Sequence, residues 1–193
     1  MPPIEPYELE QLKAAGRRMY QGGLTTGTLG AIGVRLPQGN VAVTAAGTRL
    51  GFLDGKDFIA LDGNRMPVRE NGRAPVMDAG VLAAVLDARP EAGSVVRVHS
   101  PYATAIAHSG RQVLEGSKEL LEQIGGVAFI PYWRTGAAGL AGTVAQALKT
   151  NRVAIIEGQG PVIWGTDIDD AVDYAEALEA VAKVIFILTG NGV

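Results

Sequence analysis

The sequence predicts an α/β sandwich of the α+β kind. Two observations predict it. Between residues 31 and 64, short β-branched runs are separated only by turn signals, the pattern of an antiparallel meander. Around that stretch, apolar residues recur at helical spacing in separate segments, so helices are segregated around the strands. The 193 residues suffice for one domain with a proper core, and no linker, repeat or low-complexity stretch divides them, so residues 1–193 read as a single domain.

The elements follow in order. Leu9, Leu12, Gly16, Met19 and Tyr20 mark a first amphipathic helix, ended by Gly22-Gly23. Loop chemistry at Thr25–Gly30 runs into a strand reaching Arg35. Pro37-Gln38-Gly39-Asn40 is a hairpin turn before the strand Val41–Thr44, and Ala46-Gly47 is the next turn. Phe58–Ala60 is a strand closed by Asp62-Gly63-Asn64. Asp78 opens a helix that ends at Ala88-Arg89-Pro90. A strand over 94–99 turns through Ser100-Pro101 into an alanine-rich helix. Ser117–Gln123 reads as helix, Val127–Ile130 as strand and Ala137–Leu148 as helix. The strands Val153–Ile156 and Val162–Trp164 flank Gly158-Gln159-Gly160. A long helix from about Asp167 carries Ile168, Ala171, Val172, Ala175, Leu178, Val181 and Ile185 on one stripe, with Thr166 or Asp167 as its cap.

Composition excludes several classes of function. Hydrophobic residues at 47% and charged residues at 19% describe a globular chain. The net charge of −3, with acids and bases interspersed, lacks the clustered Lys and Arg that nucleic-acid binding needs. The absence of cysteine removes disulfides, thiolate chemistry and Cys-based zinc sites. No basic and apolar leader is evident at the start, and Val184–Leu188 is too short to span a bilayer, so the expectation is a cytoplasmic protein with no membrane partner.

The most informative segment is Val95-Val96-Arg97-Val98-His99. On a strand, positions two apart share a face, which places Arg97 and His99 together at the mouth of a helix. Arg97 cannot bind a metal and carries a permanent charge. His99 is one of two histidines, and His108 has no ligand-like spacing to it. Zinc needs three or four N, O or S ligands, so metal binding is not expected. Asp78 is read either as a general acid/base or as a simple helix cap. Gly27-Thr28-Leu29-Gly30 with Gly33 either presents backbone N–H groups to an anion or makes a tight helix-to-strand connection. Gln159, between two glycines, is read as a ligand-binding amide or as a solvated hairpin residue.

The order of these pieces resembles the class II aldolase/adducin family. The resemblance is carried by Gly27-Thr28-x-Gly30, Thr44-x-x-Gly47, Arg89-Pro90, His99-Ser100-Pro101-Tyr102-Ala103-Thr104-Ala105, Pro131-Tyr132 with Gly136 and Leu140-Ala141, and the final strand–turn–strand–helix. It covers about residues 8–190. It implies a central, mostly antiparallel sheet with helices on both sides, and a four-fold tetramer with sites at subunit interfaces. Family members resemble sugar-phosphate aldolases, epimerases and dehydratases that use zinc held by three histidines, two of them from a His-x-His strand, with a glutamate as acid/base.

This chain departs from that pattern. The first strand histidine is Arg97, the turn histidine is Gln159, and the glutamate position holds Asp78. At the phosphate positions, Ala31 follows Gly30, and Val76-Met77 stands in place of a serine pair. His99 is the one surviving ligand position, and no cofactor is expected. The expected function is a metal-independent binder or diverged enzyme acting on a small hydroxy or keto acid or a sugar-derived anion. Asp78 and His99 are its catalytic candidates, and Arg97, Thr28, Gly30, Gly47 and Gln159 its substrate-binding candidates. One alternative is a non-catalytic adducin-like homologue, with Arg97 paired to Asp78 or Glu157. Another is an aldehyde-lyase with a relocated metal on His99, Asp78 and Glu157.

Overall fold

The computed structural model of the protein describes residues 4–68, 72–109, 122 and 124–190. Its strands are β1 (Ala31–Arg35), β2 (Val41–Thr44), β3 (Phe58–Leu61), β4 (Ser94–Arg97), β5 (Val127–Ile130), β6 (Val153–Ile156) and β7 (Gly160–Gly165). They form a seven-stranded sheet in the order β3-β2-β1-β4-β7-β6-β5. Every neighbouring pair is antiparallel except β5 and β6. Among the described residues the helices are α1 (Pro6–Gln21), α2 (Ala79–Ala88), α3 (Pro101–Ser109), α4 (Leu140–Ala147) and α5 (Ile168–Gly190). The expected α+β sandwich is the observed fold.

Both faces of the sheet are covered, and the two-residue period of a strand sorts side chains between them. Val96 and Val98 pack with Leu12, Met19, Ile106 and Val172 beneath α1, α3 and α5. Val95 packs with Leu82, Val85, Leu140 and Val144 beneath α2 and α4. The same alternation separates Ile155 from Ala154 and Ile156. Strands buried on both faces read as continuous apolar runs, as Val153–Ile156 does.

Two of the expected elements come out shorter, and a third falls outside the described residues. The strand expected over 94–99 ends at Arg97. The Val98 amide still donates to the Pro161 carbonyl (3.0 Å), but the His99 amide donates to Leu24 (2.9 Å), so the chain leaves β7 there. The helix expected over 137–148 spans Leu140–Ala147, after Gly139 in a left-handed conformation. The helix expected at Ser117–Gln123 lies outside the described residues, apart from Glu122. The long terminal helix starts as expected: Asp167 Oδ1 accepts from the Asp170 amide (2.8 Å), and Asp170 Oδ2 accepts from the Thr166 amide (2.8 Å).

The register gathers the functional segments on one rim. Ala31 at the start of β1 faces Arg97 at the end of β4, and Arg97 faces Val162 near the start of β7. Ile130 and Ile156 close β5 and β6 side by side, beside the start of β7. The chain before α2 is tied to the end of β2, where the Val76 amide donates to Thr44 O and the Ala46 amide to Ala74 O (both 2.9 Å). The loops at 25–30, 45–48, 74–78, 98–100, 131–136 and 157–160 therefore sit at the same end of the sheet.

Candidate functional site

At the end of β4 the Arg97 side chain turns into the face shared with α2 and is buried, 3% exposed. A guanidinium removed from water needs a counter-charge and acceptors for its N–H groups. Asp78, at the first turn of α2, supplies the charge through an ion pair with Nη1. Gln159 supplies an acceptor, its Oε1 lying 2.8 Å from Nη2. The other end of that amide is fixed as well, because Gln159 Nε2 donates to the Trp133 carbonyl. An amide with its nitrogen held by a carbonyl must turn its oxygen to the guanidinium. Residues from four separate segments thus form one hydrogen-bonded chain.

The sequence left Asp78 open between capping and chemistry. It occupies the N-cap position of α2, yet its side chain makes no capping hydrogen bond and is committed to Arg97. That corrects the capping reading. The alternative partner for Arg97, Glu157, pairs instead with exposed His108, 3.5 Å from its Nδ1. The second histidine therefore lies outside the Arg97 cluster.

His99 sits one residue past Val98, with its Nδ1 buried and without a protein hydrogen-bond partner. Burial first, and the Arg97 charge second, push its pKa down to about 4. At neutral pH it is an uncharged imidazole with one donor and one acceptor nitrogen. Burial pushes Arg97 down to about 10, which leaves it cationic at neutral pH. Arg97 Nε and Ser100 Oγ are likewise buried without partners. Among the described residues these three atoms make up the whole set of such side-chain atoms, and all lie within residues 97–100.

The remaining candidates differ in their relation to this cluster. Gly30 adopts φ +100°, and a Cβ there would lie 2.8 Å from Thr25 Cγ2 and 3.1 Å from the Arg97 carbonyl, so it backs the β4 end directly. Gly47 forms the turn after β2, beside the segment leading to Asp78. Thr28 is exposed on the turn closed by the Leu29 amide and Thr26 carbonyl (3.0 Å). No described hydrogen bond joins Thr28 or Gly47 to Arg97. Two contributors carried no signal in the sequence. One is the Trp133 carbonyl. The other is Glu179 of α5, whose carboxylate accepts from the Tyr102 (3.0 Å) and Ala103 (2.9 Å) amides and so fixes the start of α3.

The zinc that the family resemblance implies can be tested against this donor set. A zinc site wants three or four N, O or S ligands around a positive charge. Here a guanidinium stands where a ligand would be, one imidazole remains, and the carboxylate is already neutralised. No group of three His, Cys, Asp or Glu able to hold a metal occurs among the described residues. The residues present do not fit zinc. Nor is any described helix long and apolar enough to cross a membrane.

Comparison with known proteins agrees with the fold. The chain is 30% identical over 189 residues to 3-oxo-tetronate 4-phosphate decarboxylase of Haemophilus influenzae, covering 94% of this chain and 88% of that protein. It is 32% identical over 182 residues to methylthioribulose-1-phosphate dehydratase of Gluconobacter oxydans, covering 88% and 86%. The crystal structure of YgbL from Klebsiella pneumoniae superposes with a TM-score of 0.83 at 25% identity, over 94% of this chain and 89% of that one. The family profile described as Class II Aldolase and Adducin N-terminal domain matches residues 10–186, nearly the whole chain, and the chain belongs to that family.

Proposed function

We propose that this chain is a metal-independent member of its family that binds a small sugar-acid-type anion at the junction of β4 and α3. The observation that carries this reading is the cluster of buried, unpartnered polar atoms: Arg97 Nε, His99 Nδ1 and Ser100 Oγ. Each such atom costs about 1–3 kcal/mol when its hydrogen bond is left unmade, and folded proteins keep few of them. A ligand with oxygens on adjacent carbons can satisfy N–H and O–H donors of this kind. The relatives' names, a 3-oxo-tetronate phosphate and a methylthioribulose phosphate, indicate a carbonyl-bearing sugar derivative as the chemical class. In an active form, His99 would donate or shuttle a proton and Asp78 would act as base once released from Arg97. Thr28, Gly30, Gly47 and Gln159 are the substrate-binding candidates of this reading.

A second reading, a non-catalytic homologue, is favoured by the depth of the ion pair, whose side chains are only 4% and 10% exposed. A carboxylate held in that way is not a free base. Assembly as a homotetramer with the rim at subunit contacts belongs to the same proposal, supported by the exposed Met77 and Tyr132 near the site.

The test is a thermal-shift series with 3-oxo-tetronate 4-phosphate, unphosphorylated hydroxy and keto acids, and inorganic phosphate and sulfate as controls. A ligand at about a hundred times its Kd stabilises by about 2.7 kcal/mol, which for a chain of this size raises Tm by roughly 5–10 °C. A flat response across the sugar acids, unchanged in Arg97→Ala, removes the binding reading and leaves the non-catalytic one. Turnover of any of these compounds, followed by carbonyl loss or CO2 release, removes the non-catalytic one.

A further inference from the structure

We propose that the Arg97 guanidinium is a built-in cation, covalently supplied, that organises this rim in place of a divalent ion. The inference rests on the metal-independent reading of the site. It goes further by assigning a binding capacity to the cage around the guanidinium itself. Oxygen atoms from distant segments converge on one positive charge: the Asp78 carboxylate before α2 and Gln159 Oε1 from the β6–β7 turn. Gln159 is oriented by the Trp133 carbonyl after β5, so its oxygen and not its nitrogen faces inward. An outer carbonyl that fixes which end of an inner ligand faces the centre is the arrangement found around bound metals. A metal ion would join these segments reversibly. A side chain anchored on β4 joins them permanently, and its single charge is matched by a single carboxylate.

The cage is therefore a receptor for a planar monocation. Cutting Arg97 back to alanine removes the γ and δ carbons and the guanidinium. It leaves an uncompensated carboxylate and an oriented amide oxygen around the space. N-Ethylguanidinium has the shape of the removed atoms. The vacated cage of Arg97→Ala should bind it, and the wild-type chain should not.

The experiment measures the Tm of Arg97→Ala with increasing millimolar N-ethylguanidinium, with uncharged N-ethylurea as the control, and titrates the same variant by calorimetry. Expected is a fall in Tm of about 10 °C on substitution. Saturable recovery of at least half of it with N-ethylguanidinium should follow, with none from N-ethylurea and about one equivalent bound. Equal effects of the two compounds, or none, would overturn the proposal. Should Arg97→Ala fail to fold, the comparison moves to Arg97→Lys and Arg97→Met. Greater stability of the lysine variant supports a built-in cation, and equal or greater stability of the methionine variant refutes it. Failure of the anion series with successful rescue leaves this inference standing and removes the anion-binding reading. Stoichiometric zinc in the purified wild-type protein removes both.

Discussion

Burying a guanidinium and a carboxylate costs several kcal/mol per ion, and what offsets that loss at Arg97 is Asp78 on one side and the Gln159 amide on the other. The balance is asymmetric. Arg97→Ala strands the Asp78 carboxylate and should lower stability by about 3–5 kcal/mol, measured by urea denaturation. The double change Arg97→Leu with Asp78→Leu removes both charges and should recover most of that; a double variant as unstable as the single one would sink the account. His99 gives a separate signature in pH. Its folded pKa lies near 4, below the ordinary 6.5, so the unfolded chain takes up a proton first as pH falls. The contribution is whole above pH 6.5 and is lost as pH drops from there toward 4. A plot of urea midpoint against pH should slope across that interval and flatten in His99→Gln.

At the level of elements, the site depends on how β4 is delivered to α3. Gly160 opens β7 at φ +91°, where a Cβ would lie 2.5 Å from the Val98 carbonyl and 3.1 Å from Thr104 Oγ1. Gly160→Ala forces both a disfavoured backbone conformation and a clash beside His99, so a loss of about 2–4 kcal/mol is expected from equilibrium denaturation. Glu179 acts from the far end of the chain: two amides of the first turn of α3 rest on its carboxylate. Glu179→Ala should cost about 1–2 kcal/mol, and hydrogen exchange should show the protection lost at Tyr102 and Ala103 before other amides of α3. On the outer surface Arg18 joins α1 to α5 through Asp169, Asp173 and Glu176, but these groups are solvated, so the tie adds little.

For the molecule as a whole, the prediction concerns metal. If the centre of guanidinium, carboxylate, amide and one imidazole works without a divalent ion, as proposed, elemental analysis should find less than about a tenth of an equivalent of zinc, manganese or iron, given how many ligands zinc requires. Prolonged chelation should leave Tm unmoved, because chelators unfold proteins whose folding energy includes a metal. The opposite end of the sheet is held by other means. The guanidinium groups of Arg89 (4.5 Å) and Arg152 (3.7 Å) both lie over the Trp164 ring, and its indole nitrogen donates to Asn151 O (3.0 Å). Arg89 also reaches the Leu148 carbonyl at the end of α4.

How much of this was legible in the chain divides along physical lines. The meander over 31–64, the paired runs at 153–165 and the apolar stripe of α5 are local patterns, set by periodicity and turn residues within a few positions of one another. Those the sequence determined by itself; the family resemblance added that Arg97 and Gln159 stand where it implies histidines. Which acid meets Arg97 was decided only in three dimensions. Asp78 and Glu157 both carry a carboxylate, but the pairing of β2 with residues 74–76 brings the first to the guanidinium, while the second turns outward to His108. The Trp133 carbonyl and the Glu179 carboxylate belong to the same class, since long-range register, not local composition, chooses a partner.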